Sequence, residues 1–267
     1  MRRPLRAALL PIVICAGGAL RAQAPAALAA ERTVFADWLA HAPLSPLAAV
    51  SAAPLDRTGV AVEMGAGRRA RVIERDDAVW VEGDGAARPI ARNRPVRLGA
   101  TTLLVTGEPP RSRVTLFQAD RTAFTPAYWP YDPGLVFTGT LTASPRPSSE
   151  RVLTADGVEV EATDAGTVSL DLQGAVVRLR VLRLPDPASG ESSLEVYFRD
   201  ATSGAGSYPA GRFVELQPLA DGRYRLDFNR ARNPFCAYSA VYPCPAPWPG
   251  NTIAAPIRAG ERYQGHS

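Results

Sequence analysis

Apolar residues recur along this chain at two spacings. In residues 31–42 they fall at Val34, Phe35, Trp38 and Leu39, the i, i+3, i+4 pattern of one helical face, which predicts a short amphipathic helix ended by Pro43 and Pro46. Beyond it the period drops to two. Short β-like runs occupy residues 60–62, 70–73, 78–81, 101–105 and 114–117, with turns at Gly83-Asp84-Gly85 and Glu108-Pro109-Pro110. A second series occupies 158–161, 167–172, 176–182, 194–198, 213–216 and 224–228, its last two runs joined through Asp221-Gly222 as a hairpin. Ser144-Pro145-Arg146-Pro147-Ser148-Ser149 reads as a linker, dividing a β-rich half at 30–143 from another at 150–267. From Asn229 onward prolines at 234, 243, 245, 247, 249 and 256 forbid a central strand, yet the Tyr, Phe and Trp content predicts an ordered tail lying across the preceding sheet. The expected fold class is all-β: antiparallel sandwich or barrel-like sheets in two halves, one N-terminal helix and an irregular Pro-rich C-terminal tail.

Residues 1–29 do not fit this scheme. Arg2, Arg3 and Arg6 precede the apolar run 7–20, and small-x-small sites follow at Ala22-Gln23-Ala24 and Ala27-Leu28-Ala29, the pattern of a secretory signal peptide cut near Ala29. The run is shorter than the ~20 residues a spanning helix needs, and Ile14 before Cys15 disfavours a lipid anchor. The predicted location is therefore periplasmic or extracellular. Removing the leader takes away four arginines and no acid, so the formal charge of +4 becomes zero and the basic precursor gives no argument for nucleic acid. A monomer is expected.

The composition excludes much chemistry. All 30 basic residues are Arg, and the two histidines are His41 and His266. There is no Lys for a Schiff base or a phosphate loop, no zinc helix with paired His, and no His placed for a Ser-His-Asp triad. Once Cys15 is gone, Cys236 and Cys244 remain, and in an oxidising compartment they are expected to form a disulfide contributing about 2–3 kcal/mol. Two Cys without a His give no closed zinc site, and no metal or other cofactor is expected; Asp227-x-Asn229 offers hard oxygens, but the spacing of a calcium loop does not continue.

Polar residues concentrate in the last seventy positions. Arg199, Asp200 and Arg212 flank strands, Asp227 and Asn229 are two apart and so share a strand face, and Asn233, Asn251 and Glu261 come from the tail. Arg199 and Arg212 are candidates to hold an anionic or hydroxyl-rich ligand, with Asp200, Asp227 or Glu261 as acceptor or general base. The same groups are equally suited to satisfying the backbone of a tail that has no ladder, and this structural reading is preferred. Tyr128, Trp129 and Tyr131, in the aromatic and Pro-rich stretch 124–133, are a candidate stacking platform; a Pro-stiffened plug at the end of a sheet is the preferred alternative.

The blocks Phe198-Arg199-Asp200-Ala201-Thr202-Ser203-Gly204, Ser207-Tyr208-Pro209-Ala210-Gly211-Arg212, Leu226-Asp227-Phe228-Asn229-Arg230-Ala231 and Ile257-Arg258-Ala259-Gly260-Glu261, with Asn233-Pro234, Cys236-Ala237-Tyr238, Cys244-Pro245 and Asn251 between the last two, resemble the bacterial family catalogued as domain of unknown function 1684. The resemblance covers about residues 194–263. It brings no activity or substrate, but it implies that Arg199, Asp200, Arg212, Asp227, Asn229, Asn233 and Glu261 belong to one motif set; Tyr208 and Asn251 join them as candidate ligand-binding residues. Three functions follow as expectations. The leading one is an exported envelope protein binding a small polar ligand or a protein partner through the Arg/Asp/Asn cluster. The others are a carboxylate-dependent hydrolase and a pure scaffold, and the scarcity of nucleophiles weighs against an enzyme.

Overall fold

The structure, a computed structural model, describes residues 23–83, 85–120, 124–186 and 189–265. The leader's charged and apolar segments, Cys15, Asp84 and His266 lie outside the described residues. The regular structure is mostly antiparallel sheet, with one N-terminal helix.

Helix α1 spans Ala26–His41, starting earlier than the predicted residue 31 because the Ala-rich stretch before Glu31 favours helix as strongly as the amphipathic part does. It buries Leu28 and Leu39, while Val34, expected on the buried face, is 69% exposed. No helix among the described residues is long and apolar enough to cross a membrane.

The next eight strands are β1 (Ala49–Pro54), β2 (Val60–Gly65), β3 (Arg68–Arg75), β4 (Ala78–Glu82), β5 (Arg88–Ile90), β6 (Val96–Leu98), β7 (Thr101–Thr106) and β8 (Arg113–Gln118). They form two four-stranded antiparallel sheets, ordered β1-β8-β7-β6 and β2-β3-β4-β5. Alternation in β7 puts Leu103 and Val105 inward, where they meet Val62, Val72 and Val81 of the other sheet in one core. Between the sheets, Glu74 accepts from Ser112 Oγ at 2.6 Å and pairs with Arg92, so this buried carboxylate is compensated.

The remaining strands are β9 (Val136–Gly139), β10 (Leu141–Ala143), β11 (Ser149–Leu153), β12 (Glu159–Leu172), β13 (Ala175–Pro185), β14 (Ser192–Asp200), β15 (Arg212–Pro218), β16 (Tyr224–Asp227) and β17 (Thr252–Ile253). They build one nine-stranded sheet, ordered β10-β12-β13-β14-β15-β16-β9, with β11 on β12 and β17 on β14. The sheet curls towards a barrel, and the β14–β17 pairing is parallel, an exception to the antiparallel expectation. The expected linker at 144–149 is a turn inside this sheet, since β10 before it and β11 after it both pair with β12. The segments read separately at 158–161 and 167–172 are one strand, bent where the register slips between Asp164 and Gly166. Gly166 has φ +125°, and a Cβ there would lie 2.0 Å from the Thr142 carbonyl oxygen.

Both faces of the central strands are covered. Val196, Phe198, Val214, Leu216 and Leu226 point into the curl and meet Ile253, Ile257 and Ala259 of the tail. On the other face Tyr197 and Phe213 stack 4.2 Å apart, with Trp248 edge-on to both. The Pro-rich tail is thus an ordered lid on the sheet, as its aromatic content predicts.

Candidate functional site

The polar residues of the last seventy positions do not form one open site. They form four buried knots, three tying the tail to the rest of the fold and one tying the tail to itself. In the first, Arg212, 1% exposed, donates from Nη2 to Asp200 Oδ2 (2.9 Å) and to the Ile257 carbonyl (2.8 Å), and from Nη1 to the carbonyls of Ala259 and of Glu261 (3.3 Å). Asp200 Oδ1 accepts from Thr202 N (2.7 Å), Thr202 Oγ1 (2.6 Å) and Ile257 N (3.1 Å). Burial lowers the Arg212 pKa, and the Asp200 carboxylate counters it. Every acceptor the guanidinium meets is thereby a backbone carbonyl of the tail or a carboxylate that itself holds tail and turn N–H groups.

In the second knot Asp227 and Asn229 do meet, though not by sharing a strand face. β16 ends at Asp227, whose Oδ1 caps the following 3-10 turn by accepting from Asn229 N (3.0 Å) and Asn229 Nδ2 (2.9 Å). Oδ2 accepts from Arg225 Nη2 at 3.0 Å, so the oxygens considered for calcium are engaged by protein donors. Asn229 then clamps the Asp132 backbone, accepting from its N–H at 2.9 Å and donating to its carbonyl at 2.8 Å. In the third knot Glu261 Oε2 accepts from Asn233 N at 2.9 Å and Oε1 accepts from the Tyr238 hydroxyl, while Asn233 Nδ2 donates to the Arg262 carbonyl at 3.2 Å. Burial raises the Glu261 pKa to about 7, against the opposing pull of these two donors and of Arg232 and Arg212. In the fourth, Asn251, 0% exposed, bonds the Arg180 N–H (2.7 Å) and carbonyl (2.9 Å) and the Tyr197 carbonyl (3.0 Å), filling the gap where β13 and β14 diverge.

Two candidates part from these knots. Arg199 follows the strand's alternation to the exposed face, opposite Asp200, so the paired Arg199–Arg212 clamp does not exist. Tyr208 stands by the cysteines, its hydroxyl 3.3 Å from both Cys236 Sγ and Cys244 Sγ. The expected disulfide is open in this structure, with Cys236 a buried thiol and Cys244 an exposed one. Burial pushes the Cys236 thiol up to about 12, which disfavours the thiolate that attack on an oxidant requires. The aromatics of 124–133 form no platform either: Trp129 Nε1 donates to Ser207 Oγ at 3.2 Å, and Tyr128 pairs through its backbone with Glu261 and faces elsewhere.

Tyr128 faces a cleft that the sequence reading missed. Of about 820 Å³, it lies between α1, the strands β14 and β15, and the first turns of the tail. Aromatics make its roof: Phe35 and Trp38 of α1 stack at 5.9 Å, and Trp38 lies 5.8 Å from Phe235 of the tail. Its floor is the β14–β15 ladder, where Glu195 and Glu215 stand directly opposite each other and both line the space. Glu195 keeps only the Ser193 hydroxyl (2.9 Å) as hydrogen-bond partner among the described residues; burial raises its pKa, with Ser193 and Arg232 opposing the shift and Glu215 adding to it. At the other end Arg32 lies 4.2 Å over the Tyr128 ring and donates from Nη2 to the Asn229 carbonyl at 3.1 Å. Sequence offered one signal for this place: a charged residue inside each of the apolar runs 194–198 and 213–216, at positions whose strand neighbours Tyr197 and Phe213 are buried.

An all-β fold with a polar-tied tail and one large cleft under its N-terminal helix defines a class of architecture, not an activity. The chain belongs to the family described as protein of unknown function (DUF1684), whose profile matches residues 123–262. Among solved structures it is similar to the solution NMR structure of an uncharacterized protein of Haloarcula marismortui, at 38% identity over 52% of this chain and 76% of that one, with a TM-score of 0.44. No curated protein matches.

Proposed function

We propose that this protein binds a small molecule, and that it does so in the cleft under α1 and not in the buried Arg/Asp/Asn cluster. The supporting observation is the cleft itself: a space of small-molecule size with aromatic walls and a few charged groups at its ends. The cluster has neither room nor spare acceptors, since Asp200, Asp227 and Glu261 are each engaged by protein donors. The same engagement leaves the hydrolase reading without an accessible carboxylate among the residues first considered for it. The test uses N-phenyl-1-naphthylamine, a neutral fluorescent probe. Saturable binding is expected, and Ala30→Trp, which fills the cleft from the helix side, should abolish it while leaving the unfolding midpoint near that of the parent. No saturable binding, or binding indifferent to Ala30→Trp, refutes the reading.

Export belongs to the same proposal, with a leader that ends before the fold begins. Leu28, in the first turn of α1, is 4% exposed, so a cut at Ala29 would remove a buried side chain whereas a cut after Ala24 would retain it. The intact mass of protein recovered from outside the cytoplasm reads the cut and, by the loss of two hydrogens, the Cys236–Cys244 bond. The expectation is a chain that has lost its leader, cut after Ala24 or near Ala29, with the cysteines joined; a full-length, reduced chain contradicts both.

A further inference from the structure

One cation lining the cleft has no carboxylate partner among the described residues, and it identifies a ligand class. On the floor stand Glu195 and Glu215, cross-strand neighbours with no ion pair within hydrogen-bonding distance among the described residues, and the charge of Arg232 acts on Glu195. Next to Arg32, the guanidinium groups of Arg225 and Arg230 gather about one carboxylate. Arg225 Nη2 is 3.0 Å and Arg230 Nε 3.6 Å from Asp227 Oδ2, and Arg32 also feels the Asp227 charge. Arg230 takes a second carboxylate, Glu31. Arg32 takes none among the described residues, where its contacts are the Asn229 carbonyl and the Tyr128 ring. Arg32 is thus the cation of the cleft whose charge no carboxylate meets directly among the described residues. The Nε atoms of Arg32, Arg225 and Arg230 are moreover buried without a hydrogen-bond acceptor, a condition that native structures rarely tolerate.

Resting on the cleft as the binding site, we infer that its ligand is an amphipathic oxyanion: an apolar body under Phe35 and Trp38 and one singly charged carboxylate- or phosphate-type head on Arg32. A guanidinium fork suits either head, because both present two oxygens to parallel N–H donors. Arg232 stands beside the acidic pair and offsets part of its charge, so the position of Arg32 is what places the head. The aromatic roof accepts a flat ring or an alkyl chain, and Arg232, 5.8 Å from the Phe35 ring, closes the roof from the side of the tail.

A matched pair of probes separates this inference from the reading beneath it. 1-Anilinonaphthalene-8-sulfonate and N-phenyl-1-naphthylamine share one aromatic body, and only the first carries an anion. The full chain is expected to bind the anionic probe roughly tenfold or more tightly, the equivalent of a charge-assisted hydrogen bond. Arg32→Gln should remove that preference and leave the neutral probe unaffected. In the parent protein, raising the salt concentration should weaken the anionic probe alone, a measurement that stands even if the variant fails to fold. Dodecanoate or dodecyl phosphate should displace the anionic probe where dodecanol does not, and whichever displaces at lower concentration names the head. Equal binding of the two probes, an anion preference that survives Arg32→Gln, or equal displacement by dodecanol overturns the oxyanion inference and leaves the cleft standing. Failure of both probes to bind overturns both.

Discussion

Arg212→Ala is expected to cost about 3–5 kcal/mol of folding stability, measured by denaturant unfolding against the parent. The substitution strands the Asp200 carboxylate in the interior, and it removes the donors that the Ile257, Ala259 and Glu261 carbonyls share. An unpaired buried charge is what makes such a loss large, so Asp200→Asn, which leaves the Arg212 guanidinium buried without its carboxylate, should be costly as well. A loss below about 1 kcal/mol for Arg212→Ala would mean that the tail is held by its apolar contacts and that the guanidinium is dispensable.

Glu261 should give the folded protein a pH dependence of its own. Its carboxyl titrates near 7 when folded, against 4.5 as the reference for the unfolded chain. It therefore binds its proton more tightly in the native state. Its contribution is full below pH 4.5, declines as the pH rises from 4.5 through 7, and is constant above, a total loss of about 3 kcal/mol. Glu195, also raised, adds a decline of the same sign. The informative quantity is thus the difference between the parent and Glu261→Gln. Glutamine can accept from Asn233 N and donate to the Tyr238 hydroxyl without ever bearing charge. The variant should gain on the parent as the pH rises from 5 to 8, in equilibrium unfolding at matched ionic strength. Parallel stability curves for the two proteins would show that the carboxylate is held ionised throughout.

What the sequence revealed and what it hid follow from how each part is stabilised. Strands with one apolar face announce themselves by alternation, so β7, β13, β14 and β15 are legible from their side chains alone. β1, rich in Ala and Ser, and β5, centred on Pro89, carry no such signal, because their neighbours in the sheet and not their own residues decide their conformation. β12 looks like two strands because its bulge interrupts the alternation. Among the candidate residues, Asp200 and Arg212 were legible as members of one polar cluster, while the bond between them comes only from the fold. Arg199 was placed with them by proximity in sequence, although one step along a strand reverses the face. The cleft was beyond reach, since its walls come from residues as far apart as Arg32, Tyr128, Glu195 and Arg230, and only tertiary folding brings them together.

The docking of α1 has a consequence for how the molecule is made. Arg32 bonds to Asn229 and Glu31 pairs with Arg230, partners separated by 197 and 199 residues. The helix is synthesised first, yet the surface it rests on does not exist until nearly the whole chain has emerged. Closing such distant contacts is slow, and a helix of this length standing alone is marginal in water. The N-terminal segment must therefore stay unfolded or exposed while the sheets form behind it, and its arrival is among the last events of folding. A chain interrupted before residue 229 would complete its first sandwich and leave its own beginning with nowhere to dock.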